Sequence, residues 1–293
     1  MLRTRILVSC VLVPAFIGLC WLDAQTGRFA AILLPLAILL AVQACRELGG
    51  LLKLTRNSTA ATTAGSIAIL LTLWGWHAFA PEAATRLASL GPVLLMFALA
   101  VLSLLCLRMI AFREPGGHAA TLAAEVFTVS YVGVLLATAA ELRWTGGGRL
   151  GYLSLGSLVI GAKVGDIGGY TIGRLFGNRK LSPLLSPGKT QAGAVGAILT
   201  AAVATALWLR YAGPLFDSNA GIGSWPQLLS IGAMLGIVGL IGDLGESLLK
   251  RDAGQKDASH LMPAFGGLLD LIDSILYAAP VALLIWTVWP PVA

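Results

Sequence analysis

Apolar stretches of about 20 residues, the length that crosses a hydrocarbon core, recur from one end of this chain to the other, and no long hydrophilic block interrupts them. Such a pattern excludes a fold built around water alone. Of 293 residues, 57% are hydrophobic and only 12% charged, against about 25% charged in ordinary soluble domains. Windows bounded by charge, Pro or Gly delimit nine segments: 6–22, 29–45, 61–81, 88–107, 119–140, 151–173, 192–212, 227–249 and 268–289. The predicted fold is all-α, one polytopic membrane domain spanning 1–293 with about nine transmembrane helices of roughly 20 residues. The first segment follows Arg3 and Arg5, but its length and the lack of a small-residue cleavage site read as a retained helix.

The Lys and Arg residues of the loops set the expected orientation. Fourteen fall on one side, among them Arg3, Arg5, Arg46, Arg108, Arg174, Lys189, Lys250 and Arg251, against Arg28, Arg86, Arg143, Arg149 and Arg210 on the other. The N-terminus is therefore expected in the cytoplasm and, after nine crossings of the cell (cytoplasmic) membrane, the C-terminus outside. The pI near 9.4 reflects this bias and attraction to anionic head groups; no nucleic-acid motif accompanies it. Cys10, Cys20, Cys45 and Cys106 form no C-x-x-C pair, and a disulfide or zinc site is not expected. Asn57-Ser58-Thr59 fits a glycosylation sequon but falls on the expected cytoplasmic side.

Ionisable groups inside apolar helices carry the functional signal, since each costs about 2.5–3.5 kcal/mol at mid-membrane and must face protein, water or ligand. The last four segments hold Asp166, Asp243, Glu246, Asp270 and Asp273, with Lys163 three residues before Asp166. The first five offer only Glu125 and charges at their ends. Asp243/Glu246 and Asp270/Asp273 are i, i+3 pairs, so each pair shares a helix face. Facing carboxylates become tolerable around a hard divalent cation such as Mg²⁺; neutralisation by Lys163, Lys250 or Arg251 is the alternative that spacing leaves open.

Between these pairs runs a polar, basic loop from Ser247 to His260, and Pro263 with Gly266-Gly267 leads into the last helix. Glycines there permit close backbone approach. A second polar stretch, Gly165 to Thr190, contains Arg174 and Lys189 as candidate phosphate contacts. Its Gly188-Lys189-Thr190 triplet is not a P-loop, because Pro183 stands where that motif requires Gly.

The run S-L-L-K-R-D-A-G-Q-K-D-A-S-H-L-M-P-A-F-G-G-L-L-D-L-I-D, Ser247 to Asp273, resembles the signature of the phosphatidate cytidylyltransferase (CDP-diacylglycerol synthase) family, S-x-x-K-R-x₄-K-D followed by H-G-G-x-x-D-R-x-D. D-I-G-G-Y-T-I-G-R-L-F-G and K-L-S-P-L-L-S-P-G-K-T resemble two further family motifs. Residues 121–293 thus carry the resemblance, whereas 1–120 lack specific support. It implies CMP transfer from CTP to phosphatidate, with release of pyrophosphate. It also implies Mg²⁺, with a second metal ion left open, on Asp243, Asp270 and Asp273. Lys189 would act beside them. Arg174, Ser186, Ser247, Lys250, Arg251, Lys256 and Asp257 would bind substrate. The implied partners are CTP, phosphatidate and membrane lipid; a homodimer stays open and nucleic acid is not implied.

Departures from the pattern each remove a polar group: Phe265 for His before Gly-Gly, Leu271 for Arg between the acids, Gly188 for Lys, and Gln191-Ala192 for an aromatic-Glu pair. A CTP-dependent polyprenol or phytol kinase and a weakly active paralogue acting on another lipid phosphate are the enzymatic alternatives. A transporter would also bury acids, but paired halves with broken helices are not evident in the sequence.

Overall fold

The computed structural model describes residues 15–79, 87–218, 221–259 and 266–292. Arg3, Arg5, Cys10, Arg86, His260, Pro263, Phe265 and the first half of the 6–22 segment lie outside these residues, as does the side chain of Arg28. Among the described residues there are nine helices: α1 (15–23), α2 (Leu33–Leu51), α3 (Arg56–Phe79), α4 (Leu90–Ala111), α5 (His118–Trp144), α6 (Leu150–Phe176), α7 (Gln191–Phe216), α8 (Trp225–Asp252) and α9 (Leu269–Val288). Seven of them, α2 and α4 to α9, are long and apolar enough to cross a membrane. The chain is an all-α polytopic membrane protein.

Helix α3, expected as a span from 61 to 81, is long enough but falls outside that apolar set. Its first half is rich in Ser and Thr, and the polar side chains turn inward: Ser58, Thr62 and Ser66 are buried. Thr63 and Ser66 return their hydroxyl protons to carbonyls one turn back, at 2.7 and 2.9 Å, which satisfies them without water. Two helices change pitch internally. α5 passes through a π-helical stretch at Val129–Val134, and α7 through another at Trp208–Ala212.

Strands were not expected, yet a small antiparallel hairpin of β1 (Lys180–Ser182) and β2 (Ser186–Thr190) joins α6 to α7, with Lys180 opposite Thr190 and Ser182 opposite Ser186. Its end explains the Gly-Lys-Thr triplet. Thr190 is the N-cap of α7, its hydroxyl accepting the Gly193 N–H at 3.1 Å, the ordinary role of Thr ahead of a helix.

α6, α7 and α8 pack closely because small residues line their contacts, the usual means of helix association in lipid. Gly232 on α8 lies against α7 backbone: a Cβ there would meet Ala201 O and Ala202 Cα at 2.7 Å. Rigid backbone cannot give way. At the far end of the bundle Asp23 caps α2, accepting the Ile32 and Leu33 N–H groups at 2.9 and 3.1 Å, and also receives Tyr152 OH at 2.8 Å. Arg143, read as an outer loop charge, is instead buried beside Asp23, with its guanidinium 3.9 Å from the Tyr152 ring centre.

Gly232→Leu should lower the melting temperature in detergent, at the scale of about 1–3 kcal/mol for an overpacked core. Gly245→Ala on the same helix places its Cβ in open space and should leave that temperature unchanged or raised.

Candidate functional site

Helices α8 and α9 pack side by side and bring three carboxylates together. Asp243 and Glu246 come from α8 and Asp273 from α9; one oxygen from each lies within 4.8 Å of the others. Glu246 and Asp273 are buried at 1% and 3% exposure, while the Asp243 side chain is one-third exposed. The buried Glu246 Oε1 has no hydrogen-bond partner among the described residues. Oxygen-only donors with an unsatisfied buried carboxylate oxygen fit a hard cation of the Mg²⁺ type.

Three lysines surround these acids. Lys189, carried by β2, places Nζ 2.7 Å from Asp243 Oδ2. Lys163 on α6 donates to Asp166 Oδ2 at 2.9 Å and to Ser274 Oγ at 2.8 Å, next to Asp273. Lys250 bridges the two i, i+3 pairs, contacting Glu246 Oε2 at 2.8 Å and Asp270 Oδ1. Ion pairing and a carboxylate cluster, alternatives by spacing, therefore coexist. Asp273 alone among these acids has no Lys or Arg in ion-pair contact among the described residues.

Asp270 does not join the cluster. Besides Lys250, its Oδ2 accepts the Ala258 N–H at 3.0 Å and the Gly267 N–H at 2.7 Å. The second bond reaches back three residues as in a capping box. Glu246 takes the place in the group expected for Asp270, because Asp270 is committed to the loop before α9. Gly266 accommodates this, with a positive φ of 87° and only 2.7 Å between a notional Cβ and Asp270 Oδ2. What comes close to the glycine backbone is the chain's own carboxylate.

Sequence reasoning overlooked Glu47. This buried residue on α2 accepts the Leu268 and Leu269 N–H groups at 3.0 and 2.7 Å, the Ser259 hydroxyl at 2.9 Å and the Gln43 amide at 2.8 Å. It supplies the N-terminal cap of α9 from more than 200 residues away. Only its position near the end of an apolar segment hinted at it, and charges at segment ends were read as topology signals.

The remaining candidates lie around this core. Ser247 is buried on α8, and Ser186 and Asp257 are half-buried. Arg174, Arg251 and Lys256 are exposed. Arg251 donates to Leu185 O at 3.2 Å, tying α8 to the hairpin that carries Lys189. Lys250 contacts two acids, the neutralisation that spacing left open for it. Among the departures, Gly188 and Gln191 are exposed and Leu271 packs against the apolar core.

Comparison with known proteins adds an independent line. The profile described as the cytidylyltransferase family matches residues 3–289. A phosphatidate cytidylyltransferase of Haemophilus influenzae is 39% identical over 115 residues, covering 39% of each chain. One from Mycobacterium bovis is 33% identical over 184 residues, 60% of this chain and 54% of the relative. The uncharacterized protein YnbB of Escherichia coli is 41% identical over 116 residues, 40% of this chain and 36% of that one. The matched part thus spans about two fifths to a half of these relatives' lengths.

Glu47→Ala and Asp270→Ala should each lower the melting temperature, because a buried donor left unpaired costs about 1–3 kcal/mol. Thermal unfolding in detergent checks this; an unchanged midpoint in both variants would contradict the capping roles.

Proposed function

The chain belongs to the cytidylyltransferase family, and from that premise we propose that it transfers CMP from CTP to phosphatidate, giving CDP-diacylglycerol and pyrophosphate. The observation that carries this reading is the grouping of Asp243, Glu246 and Asp273 beside Lys189. Five carboxylates (Asp166, Asp243, Glu246, Asp270 and Asp273) share this region with only three lysines in ion-pair contact (Lys163, Lys189 and Lys250). The formal excess of negative charge equals what one divalent cation neutralises.

In the proposed reaction an oxygen of the lipid phosphate attacks the α-phosphorus of CTP, and the bond from that phosphorus to the bridging oxygen of the departing pyrophosphate breaks. A divalent cation held by Asp243, Glu246 and Asp273 would supply charge neutralisation for the phosphates. Lys189, now paired with Asp243, would turn to a phosphate, and Arg251 and Lys256 add positive charge at the exposed rim. Lys250 and Asp270 fix the relative position of α8 and α9. Asp243 is the most exposed member of the group, and a lipid phosphate and a soluble nucleotide would meet the site from its side.

The names of the similar proteins favour this reading over the polyprenol or phytol kinase. Membranes incubated with CTP labelled at the α- or γ-phosphate separate the two: cytidylyl transfer moves α-label into lipid, whereas a kinase moves γ-label. Asp243→Asn and Asp273→Asn should abolish α-label transfer while keeping the melting temperature. Lys189→Ala and Arg251→Ala should weaken it by about 1.5–3 kcal/mol each, the range for hydrogen bonds to charged groups. Full activity in both Asp variants at saturating Mg²⁺ would remove the metal assignment.

We also propose that the hairpin and the loop after α8 face the cytoplasm, with the N-terminus there and the C-terminus outside. Arg251 and Leu185 join these two segments at one end of the bundle, as a common side requires. Reporter fusions after residues 56, 114, 180 and 257 should all report cytoplasm. An external signal at 257 would break the model, since CTP is cytosolic.

A further inference from the structure

Tyr131 lies within the π-helical stretch of α5, Val129–Val134. It is more than nine-tenths buried. Its hydroxyl has no hydrogen-bond partner among the described residues. A buried hydroxyl is ordinarily paired, and one that is not calls for an explanation. π-helical turns insert an extra residue and recur at functional sites. Immediately after this one the same helix, at Leu135–Glu141, packs against α9, and the carboxylates of Asp273, Glu246 and Asp243 are close enough to act electrostatically on the Tyr131 hydroxyl.

Among the described residues the Tyr131 hydroxyl and Glu246 Oε1 both lack a hydrogen-bond partner, as does Lys189 Nζ, which is held by its ion pair with Asp243. A phenol can donate one proton and adds no charge. Beside three carboxylates, a neutral donor with no protein partner is suited to an oxygen that arrives with a ligand. Tyr131 lies outside every motif that carries the family resemblance, all of which begin at Gly165 or later.

We propose that Tyr131 is a further binding residue of this site, donating its phenolic proton to a non-protein oxygen held against Asp243, Glu246 and Asp273. That oxygen belongs either to water accompanying a divalent cation or to the lipid phosphate. The proposal rests on the functional reading above and adds to it a donor from the N-terminal side of the motif-bearing region. Tyr131→Phe removes only the hydroxyl. Because that hydroxyl has no protein partner to lose, the melting temperature should stay the same or rise.

The test uses the purified full chain in detergent, as wild type and Tyr131→Phe. Mn²⁺ binding without substrate is followed by electron paramagnetic resonance, and kcat and KM for phosphatidate are measured at saturating CTP and Mg²⁺. If the oxygen is water of the cation, Tyr131→Phe should weaken Mn²⁺ binding about five- to tenfold, the effect of one hydrogen bond. If it is the lipid phosphate, Mn²⁺ binding should be unchanged and KM for phosphatidate should rise by a similar factor. Mn²⁺ binding and KM both within about twofold of wild type, less than one hydrogen bond, would overturn the proposal. So would losses that accompany a fall in melting temperature, which would mark a packing role. A wild type that neither binds Mn²⁺ nor transfers CMP would instead remove the functional reading itself; an active, Mn²⁺-binding wild type matched by its variant would remove only the role of Tyr131.

Discussion

Lys250 between Glu246 and Asp270 is the contact on which the rest of the site depends. Carboxylates on adjoining helices repel each other, and in an apolar bundle water cannot screen them. One ammonium in contact with an acid from each helix turns that repulsion into the force that holds α8 against α9. Breaking a buried pair costs far more than an exposed one, because the abandoned charge stays buried. With Lys250 in place, Glu246 is held beside Asp243 and Asp273, so a structural ion pair positions one member of the carboxylate group.

A second constraint follows from the solvent. The first N–H groups of any helix lack partners within that helix, and hydrocarbon supplies none. At the start of α9 no local N-cap side chain meets this demand. Glu47 from α2 and Asp270 from within α9 do so instead. α2, which carries no family motif, thereby fixes where α9 begins. At the opposite end Asp23 does the same for α2 while engaging α5 and α6 through Arg143 and Tyr152. Both ends of the bundle are pinned by a buried acid that serves a helix terminus.

These long-range bonds mark where the sequence stopped being readable. Apolar length and charge spacing act locally, so the helical spans and the two i, i+3 pairs were legible, whereas the expected concentration of buried acids toward the C-terminus was not met: Asp23, Glu47, Glu125 and Glu141 are buried as well. The hairpin at 180–190 was not, since three- and five-residue strands containing Pro187 lack a period to detect. Glu47 was unreadable for a different reason: a cap normally announces itself within a few residues of its helix, and this one is remote. Asp270 shows the limit of spacing itself. It sits three residues before Asp273 on the same helix, yet one carboxylate turns toward the loop and the other toward Glu246 and Asp243, a choice set by the glycine backbone at 266–267 and the α2 contact.

The positions at which this chain departs from the family pattern gain meaning from the same geometry. Gly188 and Gln191 lie on the exposed hairpin and at the start of α7, and Leu271 packs into the core; none of them belongs to the group formed by Asp243, Glu246 and Asp273. Polar groups at 188 and 191 would lie at the exposed end of the bundle, and one at 271 beside the core of α9. Support for α9 is already provided here by Lys250 and Glu47, so a cation at 271 would duplicate a charge balance that α8 completes. Under the proposed transfer, the carboxylate group governs the displacement at phosphorus, while the altered rim governs which lipid phosphate is held and how tightly. Gly188 and Gln191 can therefore vary without disturbing the three carboxylates, because the exposed end and the group depend on different side chains.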